Sequence, residues 1–171
     1  MKKILSATAI ALAAISLQAS PEGYFMLSVL SPGELPSPMY SIYGGRLSLI
    51  YGECRELYGL DVGVTGYVRE RLCGAQINGL WSGIGTDMSG LQLGAVNTVE
   101  GYFAGCQIGL MNFTGDFYGC QIGLTNASDE MYGCQIGLVN VADELYGCQI
   151  GLLNFAGNRS LTFWPFIGLG W

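Results

Sequence analysis

Apolar and polar residues alternate with a period of two through the C-terminal half of this chain, and the alternation itself recurs about every fourteen residues. In 132–140, Tyr132, Cys134, Ile136, Leu138 and Asn140 share one parity, while Gly133, Gln135, Gly137 and Val139 share the other. Period two predicts strands. A helix needs apolar positions three and four apart, and each glycine would cost it about 1 kcal/mol.

Four octapeptides, 105–112, 119–126, 133–140 and 147–154, read Gly-Cys-Gln-Ile-Gly-Leu-x-Asn. Degenerate copies open at Gly90, Gly74, Gly59 and Gly44, which makes eight units. Their spacing drifts, and the extra residues fall in polar stretches such as Arg69-Glu70-Arg71 and Thr86-Asp87, where turns are expected. Repetition on this scale fixes the architecture class before any single side chain is considered.

The fold class expected is all-β, a parallel β-solenoid of about eight short coils. Each unit is then one coil, and equivalent residues lie about 4.8 Å apart up the axis. Asn97, Asn112, Asn126, Asn140 and Asn154 are expected to form an amide ladder at a turn. Gln92, Gln107, Gln121, Gln135 and Gln149 are expected to form a second ladder on the outer face. Leu47, Val62, Ile77, Leu93, Ile108, Ile122, Ile136 and Ile150 never lose apolar character, so this column is assigned to the core, at about 2 kcal/mol per side chain.

The alternative is an antiparallel up-and-down β-barrel of the outer-membrane type, with Tyr118, Tyr132 and Tyr146 at alternating rims and 163–171 as the closing strand. The strict spacing favours the solenoid. Antiparallel neighbours do not stack equivalent side chains, and outer-membrane barrels alternate short and long loops.

Four regions follow. Residues 1–20, with Lys2 and Lys3 before an apolar run and small residues at Ala19 and Ser20, have the layout of a secretory signal too short to span a bilayer. Residues 21–43 are a Pro/Ser-rich lead-in, in which 24–30 has the composition of an edge strand or cap. The repeat domain is 44–160, and 161–171 is an aromatic cap or closing strand. Export to the periplasm, outer membrane or surface of a bacterium is the location expected. Without Lys2 and Lys3, five arginines face thirteen acids, a net charge near −8 that argues against nucleic acid as a partner.

Chemistry is sparse. Cys106, Cys120, Cys134 and Cys148 recur in register, and the same column holds Leu60, Ala75 and Leu91. Structural thiols in a small apolar slot are the first reading, with disulfides Cys106–Cys120 and Cys134–Cys148 as the second. Metal binding is not indicated, because the chain has no histidine and no pair at C-x-x-C spacing. Asp116, Asp129-Glu130 and Asp143-Glu144 form a recurring acid stripe, read as solvated turns rather than as a calcium site. Nucleophilic catalysis lacks its base, no phosphate loop occurs, and no cofactor is implied. An acid-only hydrolase using Asp129 or Asp143 is the least implausible enzyme, and the chain is read as non-enzymatic.

The repeat Gly-x-Gln-Ile-Gly-Leu-x-Asn, with 46–52 and 58–63 before it, resembles the leptospiral-type bacterial surface repeat-containing protein family over about 43–156. The resemblance implies an envelope or surface location and no catalytic role. This chain departs in carrying cysteine where Leu or Val is more usual, and in lacking a lipid-anchor cysteine. The function expected is an exported repeat protein that offers Gln- and Gly-lined faces to an unidentified macromolecule or envelope component, with a small outer-membrane β-barrel protein as the alternative.

Overall fold

The structure is a computed structural model that describes residues 22–29, 34–35, 37, 39–157 and 162–171; the signal assigned to 1–20 lies outside them. Among the described residues the chain is 88% strand with no helix, wound into a solenoid of about six turns with mostly parallel strands. The strands are β1 (Glu22–Ser28), β2 (Glu34–Leu35), β3 (Ser41–Ile84), β4 (Asp87–Leu93), β5 (Val96–Ile108), β6 (Met111–Ile122), β7 (Thr125–Ile136), β8 (Val139–Ala156) and β9 (Thr162–Gly170). They form one sheet in the order β2-β1-β3-β4-β5-β6-β7-β8-β9.

Like pairs with like along the axis. Gly105, Gly119, Gly133 and Gly147 stand in parallel register, as do the Cys, Gln, Ile and Asn of the same units. The barrel alternative therefore fails, since its neighbouring strands would have to run in opposite senses. The eight unit-opening glycines, from Gly44 to Gly147, all have φ between +129° and +150°. Only glycine adopts that conformation without strain, so each unit bends at this point and the coils stack corner on corner.

What lies inside is not what alternation suggested. The apolar interior is a different column, Ile42, Leu57, Leu72, Met88, Phe103, Phe117, Met131 and Leu145, joined by Ile84, Val99 and Ala142. Phe103 and Phe117 meet edge to face at 5.0 Å. Beside them every Gln from Gln76 to Gln149 and every Asn from Asn97 to Asn154 in the repeat columns is buried. The Ile-type column assigned to the core is on the outside instead, with Ile136 38% exposed.

The reason lies in two corners. Between Gln135 and Asn140 the chain turns at Gly137–Leu138, so parity is reset and Asn140 points inward although Ile136 points out. Between Met131 and Gln135 the bend at Gly133 leaves both flanking residues inside and the glycine outside.

Both ends are covered. β1 lies parallel on the first coil, pairing Gly23 with Ile42 and Met26 with Arg46, and β2 folds back on it antiparallel. At the other end β9 runs antiparallel to β8, pairing Cys148 with Leu169 and Ile150 with Ile167. A strand of reversed sense breaks the pattern on which another coil would stack.

Candidate functional site

Two hydrogen-bonded amide columns run through the interior in opposite directions. Each Gln donates from Nε2 to Oε1 of the Gln one coil earlier: Gln149 to Gln135 at 2.8 Å, Gln135 to Gln121 at 2.8 Å, Gln121 to Gln107 at 2.9 Å, Gln107 to Gln92 at 2.8 Å and Gln92 to Gln76 at 3.0 Å. Each Asn donates forward instead, Asn97 to Asn112, Asn112 to Asn126, Asn126 to Asn140 and Asn140 to Asn154, all at 2.8 Å. Opposed columns cancel much of each other's dipole, which favours holding both in one dry interior.

The second amide protons are used as well. Asn112, Asn126 and Asn140 donate to the backbone oxygens of Ile122, Ile136 and Ile150, closing the Gly-Leu turns. Gln121 and Gln135 donate to Thr114 Oγ1 and Ser128 Oγ. An amide satisfied on this scale is buried at little cost. The oxygens at the acceptor ends, Asn97 Oδ1 and Gln149 Oε1, have no hydrogen-bond partner among the described residues.

The Gln column begins with an ion pair that sequence reasoning passed over. Asp61 Oδ2 accepts from Gln76 Nε2 at 3.0 Å, and both Asp61 oxygens are held by Arg46, Nε to Oδ1 at 2.8 Å and Nη2 to Oδ2 at 2.6 Å. Arg46 Nη1 donates in turn to the Tyr67 backbone oxygen at 2.8 Å. Both side chains are fully buried. The signal was present, since Arg46 and Asp61 occupy the third place of their units, where later units have Gln.

Outside, the surface divides into an apolar side and an acidic edge. Tyr118, Tyr132 and Tyr146 stack with ring centroids 4.4 and 4.6 Å apart. Desolvation, followed by the neighbouring Tyr118 and Glu130, pushes the Tyr132 phenol up from its ordinary value. For Tyr146 the first cause is its hydrogen bond to Glu144.

The Cys column stands in register beside the Ile column, half-buried throughout. Cys134 and Cys148 have their Sγ atoms 3.0 Å apart. Burial pushes the Cys106 and Cys120 thiols up, and Cys134, burdened further by Cys148, is pushed up to about 12. Thiols held protonated at neutral pH are poor nucleophiles and poor metal ligands.

Next to them Ile122, Leu124, Ile136, Leu138, Ile150 and Leu152 line an open trough of about 540 Å³ that continues onto Phe166 and Ile167 of β9. Leu138 is 49% exposed and Phe166 67%. On another part of the surface Glu100, Asp129 and Asp143 border a second depression of about 350 Å³. Asp116, Glu130 and Glu144 align in register, whereas Asp129 falls where the ladder skips a pair. No Lys or Arg occurs between Arg71 and Arg159.

No protein-family model, curated protein or solved structure matches the chain.

Proposed function

We propose that this is an exported, non-enzymatic repeat protein of the bacterial envelope, whose working surface is the apolar trough and ridge of the outer face and whose counterpart is lipid. One observation carries the reading. The polar amides are spent inside the coil, while Ile, Leu and Tyr columns are left outside in straight rows. A contiguous apolar patch of this kind marks an interaction surface rather than ordinary solvent contact.

Lipid is the counterpart favoured by the distribution of charge and aromatics. Asp129 and Asp143 border a depression with none of the trough's lining residues, so these two acids stand apart from the trough, which supports interfacial binding. Phe166 and Ile167 extend the apolar surface, and Trp171, the residue after β9, is exposed. Aromatic residues of this kind favour the membrane–water boundary. The Gln- and Gly-lined face expected from the sequence has no part in this reading, because the Gln residues are inside.

Flotation of the purified protein with neutral phosphatidylcholine vesicles tests it. The expected result is co-flotation insensitive to salt, lost in Leu124→Asp/Leu138→Asp while the strand signal in circular dichroism is retained. Protein that stays at the bottom of the gradient, or that associates only with itself in sedimentation, would overturn the lipid assignment. Cell fractionation checks export separately.

A further inference from the structure

We propose that the four in-register cysteines are the site of a covalent modification, two coil-to-coil disulfides that join Cys106 to Cys120 and Cys134 to Cys148. The inference is independent of what the apolar face binds.

Register carries the first step. Cys106 pairs with Cys120, Cys120 with Cys134 and Cys134 with Cys148 across parallel strands. Adjacent parallel strands are spaced about 4.8 Å apart. Disulfides accept Cα separations of about 4.4 to 6.8 Å, so coils need not shift to be joined. The 3.0 Å approach of the Cys134 and Cys148 sulfurs is already inside the contact distance of two unbonded sulfur atoms.

Pairing follows from the ends of the column. Before Cys106 the column holds Leu91, and after Cys148 it meets Leu169 of β9. A run of four thiols closes completely in only one way with neighbours, first with second and third with fourth. Joining Cys120 to Cys134 would strand Cys106 and Cys148 with no cysteine in register. The other two cysteines are placed differently: Cys54 is buried against Arg46, and Cys73 stands opposite Ser89.

Each bond needs an oxidant, which here is a disulfide-bearing protein or small molecule. One thiol of a pair loses its proton and attacks the donor disulfide, giving a mixed disulfide and one released thiol. The second thiol then attacks the mixed bond, so two S–H bonds are replaced by one S–S bond and the donor leaves as two thiols. The column lies on the outer face and is half-buried, so exchange is completed as the coils assemble rather than after they close.

The bonds would brace the coils that carry the trough. Ile122, Ile136 and Ile150 stand two residues beyond Cys120, Cys134 and Cys148, so fraying of a coil moves the apolar ridge with it.

The test uses the full chain, refolded from denaturant in a glutathione–glutathione disulfide buffer, which makes it independent of export, and purified without further reductant. Iodoacetamide labelling in denaturant, followed by peptide mapping, should find Cys54 and Cys73 alkylated and the peptides of Cys106 and Cys120, and of Cys134 and Cys148, linked. Prior reduction should free all six. Alkylation of all six without reduction would overturn the proposal, and a Cys120–Cys134 link would overturn the pairing. In Cys134→Ser, labelling should gain Cys148 and leave the Cys106–Cys120 link intact; loss of both links would also count against it.

Discussion

Gln76 Nε2 donates to Oδ2 of Asp61 across 3.0 Å, so the Gln column of the interior starts from a carboxylate rather than from another amide. A carboxylate can only accept, which fixes the direction in which every later Gln donates. Arg46 neutralises that carboxylate through two hydrogen bonds. The buried pair thus starts the column and sets its polarity.

Removing one partner of this pair strands the other's charge in a dry interior. Asp61→Ala is expected to lower stability by about 3 to 5 kcal/mol. The double substitution Arg46→Gln/Asp61→Gln extends the amide chain and should recover most of the loss. Urea unfolding followed by circular dichroism reads both, and equal losses in the two variants would contradict the assigned role.

The inverted interior makes an unusual ranking of substitutions. Gln121→Leu removes donors to Gln107 Oε1 and Thr114 Oγ1 and should cost about 1 to 3 kcal/mol. Leu124→Ser, at a half-exposed position on the ridge, should stay within about 0.5 kcal/mol of the parent. If the serine variant is the less stable in the same urea titration, the interior has been assigned the wrong way round.

Glycines divide by position rather than by number. A Cβ on Gly119 would collide with the carbonyl oxygen of Gly105, and the backbone there has φ of +140°. Gly119→Ala should therefore abolish cooperative unfolding. A Cβ on Gly79 meets nothing within 4 Å, so Gly79→Ala should be tolerated. Thermal melts of the two variants give the comparison directly.

Alkali should unfold the stack by way of its phenols. The Tyr132 and Tyr146 values are raised in the folded chain, so both hold their protons more tightly folded than unfolded. Their contribution is complete below the ordinary phenol value of about 10 and is lost as pH rises through the folded values. Tyr132→Phe should blunt the alkaline loss, seen as a smaller fall in melting temperature above that range.

In fully reduced protein, Cys134 should be alkylated slowly. Burial and the neighbouring Cys148 push its thiol up, so it offers far less thiolate than an unperturbed cysteine at mildly alkaline pH. Iodoacetamide kinetics resolved by peptide mapping should show the rate rising steeply on addition of denaturant.

Strand, repeat and stacking were legible because they depend on identity at fixed spacing. Gly105, Gly119, Gly133 and Gly147 recur as one column because each meets the backbone of the coil before it. The Asn ladder was legible for the same reason. The face of Gln135 was not, nor was the role of Arg46 and Asp61. Alternation tells which residues share a side of a strand, and hydrophobicity is normally what tells which side faces inward.

The sequence by itself determined that this chain is an all-β repeat and favoured coils stacked in register over a barrel, which parallel pairing then excluded. Only the tertiary structure decided which columns are inside. The physical reason is that an amide's burial cost depends on its neighbours along the axis, not on its own hydropathy. Stacked Gln and Asn residues satisfy one another, leaving the Ile and Leu of the Gln-Ile-Gly-Leu motif to form the outer face.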